Sequence, residues 1–158
     1  MTEVQSLKSE VQSQRQPPTL ADIERVEGEL LALPQISMPL QHLFAPGVYL
    51  RIIDMPRGTF VIGHEHKTEH FNIVLAGRAH VLVDGVVTDI KAPAVFVSQA
   101  GVRKVLHIVE DMKWATVHPT AGIDDCQNIE RLEDQLRIKS ETFLGHEESQ
   151  KAQGEIAA

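Results

Sequence analysis

GTFVIGHEHKTEHFNIVLAG, residues 58–77, places three of the chain's eight histidines, His64, His66 and His70, within seven positions. Read as a strand over Thr59–His66, the segment alternates between faces. Phe60, Ile62, His64 and His66 point one way, and Thr59, Val61 and Glu65 the other. Two imidazoles at i and i+2 then share a face, roughly 6–7 Å apart along the strand. One metal ion bonded at about 2 Å to each nitrogen spans that gap. Lys67-Thr68 turns the chain, and the apolar run His70–Ala76 returns beside the first run, which brings His70 to the pair as a third ligand.

Outward from this stretch the texture is short β-branched runs broken by turn residues. The candidate strands are Val48–Ile53, Thr59–His66, His70–Ala76, Arg78–Val83, Val86–Ile90, Ala94–Val97, Arg103–Val109 and Lys113–His118. Asp84-Gly85 is a two-residue hairpin signal, and Glu110-Asp111-Met112 reads as a second turn. Short strands with little room for helices between them indicate an antiparallel barrel or sandwich. Nothing repeats at a fixed period, which excludes solenoids and propellers.

The flanks differ in kind. Residues 1–18 are rich in Gln and Ser, end in Pro17-Pro18 and read as a flexible arm. Residues 19–46 form a helical arm and linker: Thr19 and Asp22 make a variant capping box, and Ile23, Val26, Leu30 and Leu33 repeat at helical spacing before Pro34. Residues 47–119 hold the barrel. Residues 120–158 hold a short helix marked by Ile129, Leu132 and Leu136, which Asp124, Asp125 or Asn128 can cap, and then a polar tail.

At 158 residues the chain is one domain, with 42% hydrophobic and 23% charged residues. A formal charge of −7 argues against nucleic acid as a partner. No apolar run approaches the ~20 residues of a membrane helix, and the N-terminus lacks the apolar core of a signal peptide. The single cysteine, Cys126, rules out an intrachain disulfide and is given no role. A cytoplasmic setting follows as the expectation. The stripe on the helical arm, together with a barrel edge in need of cover, predicts a homodimer.

The opening stretch resembles the first motif of the cupin superfamily: G, five residues, H-x-H, three or four residues, E, six residues, G. Gly58, His64, His66 and Gly77 fall in register, and His70 stands at the acidic position. The second motif survives in degraded form. Aligned on Gly101, Pro93 sits at the first glycine, Gln99 at the proline, Lys104 at the histidine and Ile108 at the asparagine. The resemblance covers roughly residues 45–119 and is similar in texture to small single-domain cupins encoded by phages and prophages. It implies an all-β fold, an antiparallel cupin β-barrel (double-stranded β-helix or jelly roll), here with an N-terminal helical arm and a short C-terminal helix.

It also implies a site. His64, His66 and His70 would hold one divalent transition metal, Zn, Fe, Ni or Mn. Three neutral imidazoles leave the charge of the ion uncompensated, so the site should favour anionic ligands. Lys104, at the place of the fourth ligand, would meet a substrate carboxylate; the alternative is a surface lysine paired with Glu65 or Glu69. His107 has the opposite strand parity to Lys104 and should face outward, while His80 and His118 read as structural. The expectation is metal-dependent chemistry, dioxygenase- or isomerase-like, on a small anionic molecule. The alternatives are a binding module without turnover and a structural or interaction protein of a phage or prophage.

Overall fold

The computed structural model describes residues 16–139. In chain order its elements are α1 (Leu20–Leu31), β1 (Leu40–Ala45), β2 (Val48–Met55), β3 (Phe60–Ile62), β4 (Glu65–His66), β5 (His70–Val83), β6 (Val86–Lys91), β7 (Ala94–Ser98), β8 (Val105–Pro119), α2 (Ile129–Leu136) and β9 (Arg137–Ile138).

Two long strands carry the fold. β5 and β8 pair antiparallel along most of their length, and each serves two layers. The first half of β5 pairs with β7, and its second half with β6. The second half of β8 pairs with β2, and its first half with β3. One layer therefore runs β1-β2-β8-β5-β7, and the other runs β3-β8-β5-β6. Between them lies a core of Met55, Val74, Ala79, Val81, Leu106, Ile108, Met112 and Trp114. This is the antiparallel double-layered β fold expected for the chain.

The strands bend where the pairing slips. Register shifts fall between Val74 and Ala79 on β5. They reset the alternation: His70, Asn72 and Val74 are buried before the irregularity, and Ala79 and Val81 after it. Gly77 sits there with φ +88, and a Cβ on it would lie 2.3 Å from the Asp111 carbonyl oxygen and 2.7 Å from Met112 Cα. Only glycine tolerates both this backbone angle and this approach.

Several expectations are corrected. His70–Ala76 and Arg78–Val83 are one strand, and so are Arg103–Val109 and Lys113–His118 from Val105 on. Glu110-Asp111-Met112 is a bend inside β8, not a hairpin, because β5 stays paired on both sides of it. Thr59–His66 is interrupted at Gly63-His64, giving β3 and β4. The chain does not return from Lys67-Thr68 onto β4, because β4 pairs with β9 instead. Residues 40–45, expected in the linker, form β1 on the edge of the sheet. The Asp84-Gly85 turn is as expected, with both residues at positive φ and Val83 paired with Val86.

Both helices start where the capping residues place them. Thr19 and Asp22 form the capping box of α1, and Asn128 caps α2. α2 buries Leu132 and Leu136 against Tyr49, with Ile123 and Cys126 beside them. α1 is attached differently. Its one buried residue is Glu27, which pairs with buried Arg103 at 2.5 Å. Removing one partner of such a pair leaves a buried charge unmatched.

Gly77→Ala should destabilise the fold by roughly 3–5 kcal/mol, the sum of left-handed strain and backbone overlap. Urea denaturation of the variant measures this, and an unchanged midpoint would mean that β8 can move aside.

Candidate functional site

A pocket of about 90 Å³ opens in the interior between the two layers. Its polar wall includes Arg51, His64, His66, His70, Lys104 and Thr116, and its apolar wall includes Ile53, Met55, Val61, Leu106 and Trp114. Among the described residues no carboxylate lines it. A larger hollow of about 430 Å³, beside Asp54, Asp111 and Lys113, is more open and contains no histidine, so size does not choose between them.

The floor is fully hydrogen-bonded. Asn72 donates to Ser98 Oγ at 2.8 Å and accepts from Trp114 Nε1 at 3.1 Å. The layer above it is not. Among the described residues, His66 Nδ1, His118 Nδ1, Thr116 Oγ1 and Arg51 Nε are buried with no partner. A buried polar atom left unpaired costs free energy, so such a group marks a place for water, ion or ligand.

Three imidazoles cluster here. Ring centroids are 4.5 Å apart for His66–His70, 4.7 Å for His66–His118 and 4.6 Å for His70–His118. His70 is at the start of β5, with its Nδ1 3.3 Å from the Thr68 carbonyl, which suits an Nδ1–H donor and leaves Nε2 free to accept. His118 lies on β8 and packs 6.0 Å from Tyr49, whose hydroxyl is 2.7 Å from His42 Nδ1. His66 is held through its backbone, paired with Arg137 of β9 and accepting from Gly101 N at 2.9 Å.

Sequence reasoning grouped His64, His66 and His70. The structure brings His66 and His70 together with His118 and puts His64 in the pocket wall. His118, read as structural, lies beside them, a placement that depends on strand register. Asn72 faces Thr116 and Tyr49 faces His118, and Trp114, Thr116 and His118 share the inward side of β8. The signal was the parity of His118 with Trp114. Arg51 was missed. Lys104 lines the pocket and, among the described residues, makes no ion pair with Glu65 or Glu69. His107 faces outward as expected, stacked 4.6 Å from exposed Phe60, with His80 across the strand.

Burial keeps the imidazoles neutral. It pushes His66 down to about 2, with His118 and His70 adding to the effect, and His118 down to about 3, with His70 adding. It lowers His70 as well. His64 is pushed down to about 4 by burial, then by Arg137 and Arg51. Burial also draws Lys104 down to about 8. Arg51 reaches Glu133 at 3.5 Å, and Glu133 also pairs with Arg137, so one carboxylate serves two guanidiniums.

Neutral imidazoles are the form that binds a transition metal, and the two unpartnered Nδ1 atoms suit one. The rings, however, stack or tilt over one another. Among the described residues, no group of three or more His, Cys, Asp or Glu side chains is arranged to hold a metal ion. The donor set fits an ion; its present arrangement does not.

No protein-family model matches the sequence, and no curated protein matches it. Solved structures do. An RmlC-like cupin family protein with a double-stranded β-helix fold from Methanocaldococcus jannaschii is 15% identical, with a TM-score of 0.46 over 52% of this chain and 80% of that one. A Cupin 2 conserved barrel domain protein from Salinispora arenicola is 20% identical, with a TM-score of 0.44 over 51% and 73%. DMSP lyase DddQ from Ruegeria pomeroyi DSS-3 is 15% identical, with a TM-score of 0.47 over 52% and 46%. These are likenesses of fold, and no activity passes with them. No described helix is long and apolar enough to cross a membrane.

Acid should unfold this protein through its buried histidines. In the folded state His64, His118 and His66 stay neutral down to about pH 4, 3 and 2 respectively, against 6.5 when unfolded. Between pH 6.5 and 4 the unfolded chain binds more protons, so stability rises with pH there and is lost on acidification. The slope should approach about 4 kcal/mol per pH unit, from three groups at about 1.4 each, once the pH is well below 6.5. Urea midpoints that stay flat from pH 7.5 to 5 would contradict the burial of these rings.

Proposed function

We propose that the pocket binds a small anionic molecule, gripped by Lys104 and Arg51. One observation carries this reading: two cations and several unpartnered polar groups face an interior space that no described carboxylate lines. Among the described residues the Lys104 ammonium has no hydrogen-bond or ion-pair partner, and burial already disfavours its charge. An entering carboxylate restores that charge and supplies the missing acceptor. Thr116 Oγ1 and Arg51 Nε can donate to the same ligand.

A second reading adds a divalent transition metal, Zn, Fe, Ni or Mn, on His66, His70 and His118 after the rings turn, or on His64, His66 and His70. The unpartnered Nδ1 atoms of His66 and His118 favour the first set. A bound ion would supply Lewis acidity and a template for the anion, and with it the isomerase- or dioxygenase-like chemistry of this proposal. The chain's own groups would orient the substrate: Lys104 and Arg51 by charge, Trp114 and Leu106 by excluding water.

Calorimetry against small mono- and dicarboxylates tests the first reading. Lys104→Ala should weaken the best of them roughly 10- to 100-fold, the loss of one charge-assisted hydrogen bond. Wild-type affinity should fall as pH rises through about 8, where Lys104 loses its proton. Equal affinity in both proteins would remove Lys104 from the site.

Elemental analysis of untagged protein, reconstituted and desalted, tests the second. His118→Ala should lose as much metal as His70→Ala, and His64→Ala less. If wild type retains no metal, the metal reading fails while the anion reading stands.

A further inference from the structure

Lys104 is set apart from the other lysines. Of the five described, Lys91 is exposed. Lys67 donates to the Asp134 carbonyl at 3.2 Å, Lys113 pairs with Asp54 at 2.9 Å and Lys139 with Asp134 at 3.1 Å. Lys104 is half-buried, lines the interior pocket and, among the described residues, has no hydrogen-bond or ion-pair partner. The backbone that carries it is pinned twice. Its carbonyl accepts from Gly63 N at 2.8 Å, and its neighbour Arg103 is held in the buried pair with Glu27 of α1.

The surrounding wall suits an amine better than an ammonium. Val61, Leu106, Met55 and Trp114 line the same pocket, and no described carboxylate does. A buried ammonium without a counter-ion is costly, and loss of its proton relieves that cost. Burial draws Lys104 down to about 8, so a substantial fraction is free amine near neutral pH. A lysine amine desolvated in an apolar pocket is a nucleophile toward carbonyl carbon.

We propose that Lys104 forms an imine with small 2-oxo acids, compounds whose carbonyl lies next to a carboxylate. The inference rests on the anion reading above and narrows it: Arg51 holds the carboxylate, and Lys104 bonds the carbon beside it. Arg51 Nε and Thr116 Oγ1 are buried without partners among the described residues, and both side chains line the pocket. The first suits the carboxylate, and the second suits the carbonyl oxygen as charge develops on it. A pocket of about 90 Å³ favours a short oxo acid over a long one.

The step balances without an oxidant or reductant. The Lys104 Nζ lone pair bonds the carbonyl carbon, and the C=O π pair moves to the oxygen. One N–H proton follows it, giving a carbinolamine. A second proton, equal to the one the ammonium gave to solvent, lets the hydroxyl leave as water with the C–O bonding pair. The nitrogen lone pair then closes the C=N bond. The iminium carries the single positive charge that the ammonium had, so the carboxylate keeps its counter-charge. Trp114 and Leu106, by excluding water, slow the return hydrolysis.

Reductive trapping tests this. Full-length untagged protein is incubated with excess pyruvate, reduced with sodium cyanoborohydride and weighed by mass spectrometry. The expected gain is the mass of pyruvic acid less one oxygen, once per chain, on the peptide that contains Lys104. Lys104→Arg keeps the cation but forms no imine; it should lower the yield to background and still bind propionate in calorimetry. Lys91→Arg should change nothing. Pyruvate should trap roughly tenfold better than methyl pyruvate, whose carbonyl is more electrophilic but whose ester offers Arg51 no charge. Circular dichroism checks Lys104→Arg; should it misfold, the modified position in wild type decides alone. No adduct at Lys104, an adduct spread over exposed lysines, an undiminished yield in Lys104→Arg or equal trapping of the ester would each overturn the proposal. If propionate binds and pyruvate is not trapped, this inference fails and the anion reading stands. If propionate does not bind and pyruvate is not trapped, the anion reading is at fault and this one falls with it.

Discussion

Gly77 meets the backbone of β8 at a distance no side chain could share. Everything else about the barrel follows from that meeting. It lets β5 and β8 turn together from one layer into the other, so two strands do the work of four. The irregularity in β5 reverses which residues face inward. His70, Asn72 and Val74 belong to one inward set, and Ala79 and Val81 to the other. With an unbroken alternation, half of the core would face water.

The interior is divided by hydrogen bonding. Asn72, Ser98 and Trp114 satisfy one another and make a rigid floor. Above them stand groups with nothing to bond among the described residues, in a wall that holds cations but no anion. A folding argument accounts for the first set and not for the second, since unpaired buried groups weaken a fold. That contrast separates what the pocket is built from and what it is built for.

Local signals were legible in the sequence. The Asp84-Gly85 turn, the Thr19 cap, the inward His66 and His70 and the outward His107 each depend on a few neighbouring residues, and Asn128 was one of three caps open for the second helix. Long-range features were not. Glu110-Asp111 looks like a turn because it is polar; it is a bend because β5 continues beside it. β1 was hidden between Pro39 and Pro46-Gly47. His118 and Arg51 acquire their place through register with β5, β2 and α2, and Glu27 with Arg103 pair across segments with no common pattern. Asparagine capping can be read in one place; a shared pocket needs the sheet.

The dependence of His66 on β9 has a consequence for synthesis. β4 is two residues long, and its pairing partner comes from the end of α2, with the Leu136 carbonyl accepting from Lys67 N at 2.9 Å. On a chain emerging from the ribosome, the strands through β8 can pair and bury their core before residue 137 appears. His66 cannot. The strand partner of His66 is therefore the last part of the pocket's surroundings to be made, while its Gly101 contact and every described pocket-lining residue are already in hand by the end of β8.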